Sequence, residues 1–307
     1  MKIVDSLLNR SEEVVLRELQ QITADNTMRV FVKPRLSDVI QKGGTYLTNR
    51  EFDFYTRSHC DFVVTDPNAR PLVVVEYDGP LHQTSGEQRE RDEIKNELCR
   101  RAGLGLLRIN DNYVTKLYRG MSLLRWIIEV MELEKAFYAA QEEGQIPWDE
   151  PFDPTFLEPA DSKARFPYWL GASATQSFHR FFKTLDRDIP KGWNGVIGQD
   201  KNGASRRLSC LYFGDQILWT TTGIRKQDLQ FPDYDLLDEI DTCDLGILLK
   251  KFQRGEIAAQ PINVFRPEFE RFCERYGAHP SHSMGAFPFE THWNFTDGWR
   301  AGKSTPA

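Results

Sequence analysis

Asp61 and Glu76 are the residues around which a reaction is most readily built. Asp61 opens the apolar run FVV, and Glu76 stands near the end of a second run, PLVVVEYDG, after the turn-forming DPNARP. The two runs read as neighbouring strands joined by that turn. Alternate residues of a strand face one side, so Glu76 and Asp78 project together and Tyr77 projects opposite. Carboxylates in such apolar surroundings are costly to bury unless paired, hydrated or metal-bound. The turn is expected to bring Asp61 and Glu76, fifteen positions apart, to one sheet edge. Two or three convergent carboxylates (Asp61, Glu76 and Asp78) suit a hard divalent cation, Mg²⁺ or Mn²⁺. Such an ion activates water and stabilises charge on a phosphate being cleaved. The plainer alternative is a set of strand-end carboxylates at a solvated rim, with Asp78 a turn former ahead of Gly79 and Pro80.

The elements that must position these groups follow from periodicity. Leu8 to Ile22 reads as a helix on which Glu12 falls in register with Val15, Leu19 and Ile22, so a carboxylate occupies the inward stripe. Ser11 is a candidate cap for a shorter version, and Glu12 near the N-terminus also suits the helix macrodipole. VFVKPRLSDVI begins as a short strand and continues into an irregular, glycine-containing stretch. Beyond the DGP turn, His82 is placed to position water or move a proton. Glu87 to Ala102 reads as a helix closed by Gly103, with Ile94, Leu98 and Ala102 as its apolar stripe. Arg91 and Lys95 lie on or beside that stripe. Either they snorkel over apolar neighbours, or Lys95 extends its ammonium toward a scissile phosphate. LGLLRI returns as a buried strand, and a long helix covers about Met121 to Glu142. This order implies an α/β (α+β) fold, a mixed sheet flanked by helices.

Asp61, then VVVEYDGPLHQ, then RDEIKNELCRRAGLGLLRIN resembles the PD-(D/E)XK nuclease superfamily. It is most similar to the branch that holds the very-short-patch repair endonucleases and related bacterial domains. The resemblance covers about the first 140 residues. It implies a restriction-endonuclease-like αβββαβ core and Mg²⁺-dependent phosphodiester hydrolysis of nucleic acid, with DNA the expected substrate. Asp61 and Glu76 match the two acidic motif positions, and a first-helix glutamate, here Glu12, supports the site. The motif lysine, two residues after the glutamate, is replaced by Asp78. In relatives with an E-x-D pattern the cationic role moves to the following helix, which nominates Lys95. Bacterial defence, mobile-element processing and repair are the settings the resemblance suggests. A nuclease fold that has lost activity and serves in nucleic-acid binding or assembly is the alternative.

The whole-chain figures bound these readings. At 307 residues the chain exceeds a typical single domain. We divide it into a nuclease-like domain over 1–144, a proline-rich linker or wrapping arm over 145–167, and an aromatic-rich α+β module over 168–307. A net charge of −6 argues against non-specific coating of nucleic acid. Five scattered cysteines without CxxC spacing argue against a disulfide framework and for a reducing cytoplasm. No secretory leader or membrane span is expected. In the second half, strands are expected at RRLSCLYFG and QILWTTT and a helix at YDLLDEIDTCDLGILLKKFQ. This half is expected to select substrate or a protein partner. AGKST near the end lacks the upstream glycine of a phosphate-binding loop, since Asp297 stands there. Cys273, His279, His282 and His292 match no zinc-finger spacing. The tryptophans suit core packing better than base stacking.

Overall fold

The computed structural model describes residues 6–79, 86–118, 120–153, 170–201, 203–226, 233–280 and 287–289. The chain divides into two compact units, Met1–Ala160 with Gln227–Gln230, and Asp161–Lys226 with Phe231–Ala307. Both are mixed α/β.

In the first unit, α1 (Arg10–Asp25) starts at a cap formed by Asn9 rather than Ser11. Asn9 Oδ1 accepts from the Glu12 amide, and the Glu12 carboxylate accepts from the Asn9 amide, both at 2.9 Å. This reciprocal box satisfies two donors that the helix itself cannot. Val15, Leu19 and Ile22 are fully buried beneath it. Strands β1 (Arg29–Val32), β2 (Phe62–Thr65), β3 (Pro71–Tyr77) and β4 (Gly105–Ile109) form one sheet in that order. The first two pairings are antiparallel and β3–β4 is parallel, so the sheet is mixed. Val73 to Tyr77 are buried without alternation, as expected of a central strand covered on both faces.

Between β1 and β2 the chain forms α2 (Leu36–Val39) and α3 (Asn49–Arg57), where an irregular stretch was expected. The signature of α3 is a Thr48–Glu51 capping box; none of its residues is fully buried, so it carries no complete apolar stripe. The helix α4 (Gly86–Arg101) crosses from β3 to the parallel β4, and Gly103 ends it at φ 65°. Its buried stripe is Lys95, Leu98 and Cys99. The expected Ala102 is exposed and Ile94 only half-buried, because the sheet-facing line runs through Cys99. Leu98 and Cys99 meet Val63, Val74 and Leu106 on one sheet face.

A short α5 (Asn112–Thr115) and the hairpin β5 (Leu117–Tyr118)–β6 (Met121–Ser122) lead into α6 (Leu123–Glu142). The α1 helix packs on α6 and on β2 and β3. Arg125, buried on α6, donates to Asp25 at 2.7 Å and Glu129 at 3.2 Å, tying the two helices together. The start of the proline-rich stretch turns back onto α6. Gln141 Nε2 donates to the carbonyls of Pro147 and Glu150, and Phe152 meets Phe137 edge-on.

The second unit holds α7 (Ala172–Thr184), β7 (Lys191–Gln199), β8 (Ser205–Phe213), β9 (Gln216–Ile224), α8 (Asp233–Gln253), β10 (Gln260–Pro261), α9 (Ile262–Tyr276) and β11 (His279–Pro280). Its sheet runs β10-β9-β8-β7-β11, every pairing antiparallel. The expected β8, β9 and α8 are present, while α7, β7 and α9 had not been anticipated. On one face Phe178, Phe181, Leu211, Leu218 and Leu249 form the core. On the other, Val196, Leu208, Phe265, Phe269 and Cys273 do so. Gly246 lets α8 approach α7, since an added Cβ would lie 2.6 Å from the Ala174 methyl. Trp193 packs on Phe178 and Trp219 on Phe265, so both described tryptophans of this half serve the core.

One polar group is sealed under α8. Arg207 donates to Ser209 at 2.9 Å and to Asp241 at 3.2 Å. Burial, against the opposing pull of Arg207, lifts the Asp241 carboxyl from 3.8 to about 7. Between those values the folded chain keeps a proton that the unfolded chain has released. Stability of this unit therefore falls as pH rises from about 4 to 7 and levels off above, with a slope of at most about 1.4 kcal/mol per pH unit. Urea melts across that range, followed by tryptophan fluorescence, check this. In Asp241→Asn the slope should flatten; an unchanged slope would assign it elsewhere.

Candidate functional site

The C-terminal ends of β1 and β3 and the start of β2 lie at the same sheet edge, because these pairings are antiparallel. The residues that follow or begin those strands converge there. Asp61 immediately precedes β2, Glu76 is the penultimate residue of β3, and Lys33 immediately follows β1. Glu12 arrives from the first turn of α1 and Lys95 from the middle of α4.

These five form one chain of contacts. Lys33 Nζ donates to Glu12 Oε1 and to Asp61 Oδ1, both at 2.6 Å. The other Asp61 oxygen accepts from the Tyr77 amide at 2.9 Å. The Asp61 amide in turn donates to Glu76 Oε1 at 3.2 Å. Glu76 Oε2 accepts from Lys95 Nζ at 2.6 Å, and the same ammonium donates to the His59 carbonyl at 2.9 Å. Two side-chain–backbone bonds thus lock Asp61 against the end of β3, so their spacing is set by the sheet and not by flexible side chains.

The electrostatics follow from burial. Burial pushes the Glu76 carboxyl up; Lys95 pulls against it, and the charge of Asp61 adds to the rise. Burial lowers the Lys33 ammonium, but the hydrogen bonds to Asp61 and Glu12 outweigh it and leave its pKa raised. Cys60, fully buried beside the cluster, is pushed up to about 12, first by burial and then by Glu76. It is a packing residue, because only the thiolate is nucleophilic.

The cluster unites Glu12, Asp61, Glu76 and Lys95 of the sequence-based set. Asp78 belongs to a neighbouring group. Its carboxylate meets Arg108, the register partner of Glu76 on β4, at 3.4 Å. Arg108 also reaches Asp92 at 3.2 Å and Asn96 at 3.1 Å, both on α4. Arg91 is exposed and lies over the Phe54 ring. His82 lies outside the described residues. Lys33 was missed: its only sequence signal is a lysine between the strand VFV and Pro34.

Among the described residues no group of three or more His, Cys, Asp or Glu side chains is arranged to hold a metal ion. Asp61 and Glu76 nevertheless supply two hard oxygen donors on a rigid frame. That is the donor set Mg²⁺ takes when it retains most of its waters. The position between Glu12 and Asp61 already attracts a cation, the Lys33 ammonium. The residues present therefore fit a divalent ion.

Residues 4–121 match a family described as a protein of unknown function (DUF2726). An uncharacterised protein of Haemophilus influenzae is 26% identical over 129 residues, 40% of this chain and 65% of that protein. The chain thus spans just under two thirds of that relative's length. No solved structure matches the chain. Among the described residues no helix is long and apolar enough to cross a membrane. Every residue of the cluster falls within the segment that is similar to the family of unknown function.

Proposed function

We propose that the first unit is a metal-dependent endonuclease of the PD-(D/E)XK type that hydrolyses phosphodiester bonds of nucleic acid, DNA in the first instance. The observation that carries this reading is the cluster itself. Two acidic residues from adjacent strands, an inward glutamate from α1 and a buried lysine from α4 share one sheet end. The succession α1-β1-β2-β3-α4-β4 around a mixed sheet supports it, with α2 and α3 inserted.

Asp61 and Glu76 would hold Mg²⁺ or Mn²⁺. When bound, that ion supplies an acidified water and a positive charge beside the scissile phosphate. The chain's own groups prepare the place. The Tyr77 amide orients Asp61, and Lys95 opposes the rise that burial imposes on Glu76 and fixes its Oε2. Glu12 anchors Lys33 while capping α1.

One observation favours an inactive, binding-only unit: the position two residues after Glu76 holds Asp78, turned to Arg108. The experiment that separates the two readings incubates labelled single- and double-stranded DNA and RNA with the full chain and Mg²⁺, Mn²⁺ or a chelator. Metal-dependent cutting that Asp61→Ala abolishes supports the nuclease. Intact substrates in every arm, with Mn²⁺ bound no better by wild type than by Asp61→Ala, would sink it.

A further inference from the structure

The two lysines of the cluster are not equivalent. The Lys95 side chain is 10% exposed and held by a carboxylate and a backbone carbonyl, with nowhere to go. The Lys33 side chain is 34% exposed, so it is in part open to solvent. Its backbone, by contrast, is fixed. The Lys33 amide donates to the Asp61 carbonyl at 3.0 Å, extending the β1–β2 ladder by one residue. Pro34 follows, and Lys33 itself adopts φ 51°, a left-handed conformation that side chains with a Cβ rarely take. This turn aims the ammonium at two carboxylates of different elements. It meets Glu12 Oε1 and Asp61 Oδ1 at equal distances of 2.6 Å.

A divalent ion held by Asp61 and Glu76 would share Asp61 with this ammonium, whose other partner, Glu12, lies outside that pair. Asp61 Oδ2 accepts from the Tyr77 amide and Oδ1 from Lys33, so Oδ1 is the oxygen whose present partner is a side chain that can be displaced. Lys33 covers it. Without a metal, a positive charge there offsets the repulsion between Glu12, Asp61 and Glu76; with a metal, the same charge competes.

We propose that Lys33 is the resident cation of this cluster, and that a hard divalent cation enters by displacing its ammonium from Asp61. Lys33 is then a positioning residue that keeps the carboxylates in place while the site is empty and sets the metal concentration at which it fills. The ammonium stays with Glu12 or turns into water; no bond is made or broken. This inference rests on the metal-dependent reading of the site.

The test measures Mn²⁺ affinity of the full chain by electron paramagnetic resonance at fixed ionic strength. Lys33→Gln removes the charge and keeps a polar head; it should bind Mn²⁺ about tenfold more tightly, equivalent to about 1.4 kcal/mol. Lys33→Arg keeps the charge and should stay near wild type. In chelator Lys33→Gln should melt below wild type, and saturating Mn²⁺ should raise its melting temperature more than that of wild type. A folded Lys33→Gln that binds Mn²⁺ no more tightly than wild type overturns the role of Lys33 and leaves the metal site standing. Folded wild type and Lys33→Gln that both ignore Mn²⁺ overturn the metal reading, and this inference with it. A readout that does not depend on the folding of any neutral variant is the lysine ammonium ¹H–¹⁵N spectrum of the wild type. Adding Mg²⁺ should release the Lys33 signal, assigned through Lys33→Arg, from its ion-paired position while the Lys95 signal persists. A Lys33 signal unmoved at saturating Mg²⁺ overturns the proposal.

Discussion

Lys95→Met should destabilise the first unit by about 3–5 kcal/mol, the range for breaking a buried ion pair from one side. Glu76 and Lys95 are 7% and 8% exposed, and their charged atoms are 2.6 Å apart. Without the ammonium, Glu76 keeps, among the described residues, the Asp61 amide and the charge of Arg108 to offset the loss of water. The loss also has a pH signature. Burial already raises the Glu76 pKa, and removing Lys95 raises it further. A raised carboxyl contributes stability that is present at low pH and is lost as pH rises through the folded pKa. The variant should therefore lie closer to wild type at pH 5 than at pH 8. Its melting temperature near neutrality should fall by roughly 10 °C for a unit of this size. The double variant Lys95→Met with Glu76→Gln should recover most of the loss, because no unpaired charge remains. Chemical melts at both pH values decide it: a loss below about 1 kcal/mol, or no rescue, would mean the pair is hydrated and not sealed.

The second large effect is on chemistry. Glu76→Gln is nearly isosteric, but its one amide oxygen accepts from the Asp61 amide or from Lys95 and not from both, so the variant should be less stable, and its rate is compared at a temperature where it is folded. It removes a negative oxygen from the proposed metal set. Loss of one preorganised electrostatic group costs about 10²–10³-fold in rate. Cleavage by Glu76→Gln in Mg²⁺ is expected to drop by that factor, with a circular dichroism spectrum like that of wild type. Retention of more than about a tenth of the rate, a loss of under about 1.4 kcal/mol in barrier height, would remove Glu76 from the metal set. Measuring single-turnover rates at saturating chain keeps the comparison on the chemical step.

The part of the candidate site that was legible in the sequence is the part carried by local periodicity. Glu12 declared itself by falling in register with Val15, Leu19 and Ile22, all of them buried in the structure. Glu76 stood out as a carboxylate inside an apolar strand, and Lys95 as a cation beside a buried helical line. Each signal depends on only one element's repeat, so a single chain segment is enough to reveal it. In the second half, β8, β9 and α8 were legible for the same reason. β7 was not: its glycines at 192, 195 and 198 interrupt the apolar pattern, and they are small because Tyr212, Ser209 and the Tyr276 carbonyl press on them.

What only the tertiary structure decided is which residues meet. Lys33 carries no periodic signal. Its place between Glu12 and Asp61 comes from a left-handed turn and from the β1–β2 register continuing one residue past the strand. Asp78 shares the face of Glu76, as alternation requires, yet its partner is Arg108, chosen by the parallel register between β3 and β4. Asp241 sits in an ordinary-looking acidic helix and becomes a buried group only because Arg207 and Ser209 face it from β8. Periodicity records which side of an element is buried. It does not record what lies across from that side, since the partner comes from a segment distant in sequence. The sequence by itself therefore determined the elements with strong local repeats and named Glu12, Glu76 and Lys95 among the buried charged groups, but not Arg108, Arg125, Glu134, Arg207 or Asp241. Pairing between distant segments determined which of those groups form the cluster, and a carboxylate gains a ligand's role only from the neighbours that pairing gives it.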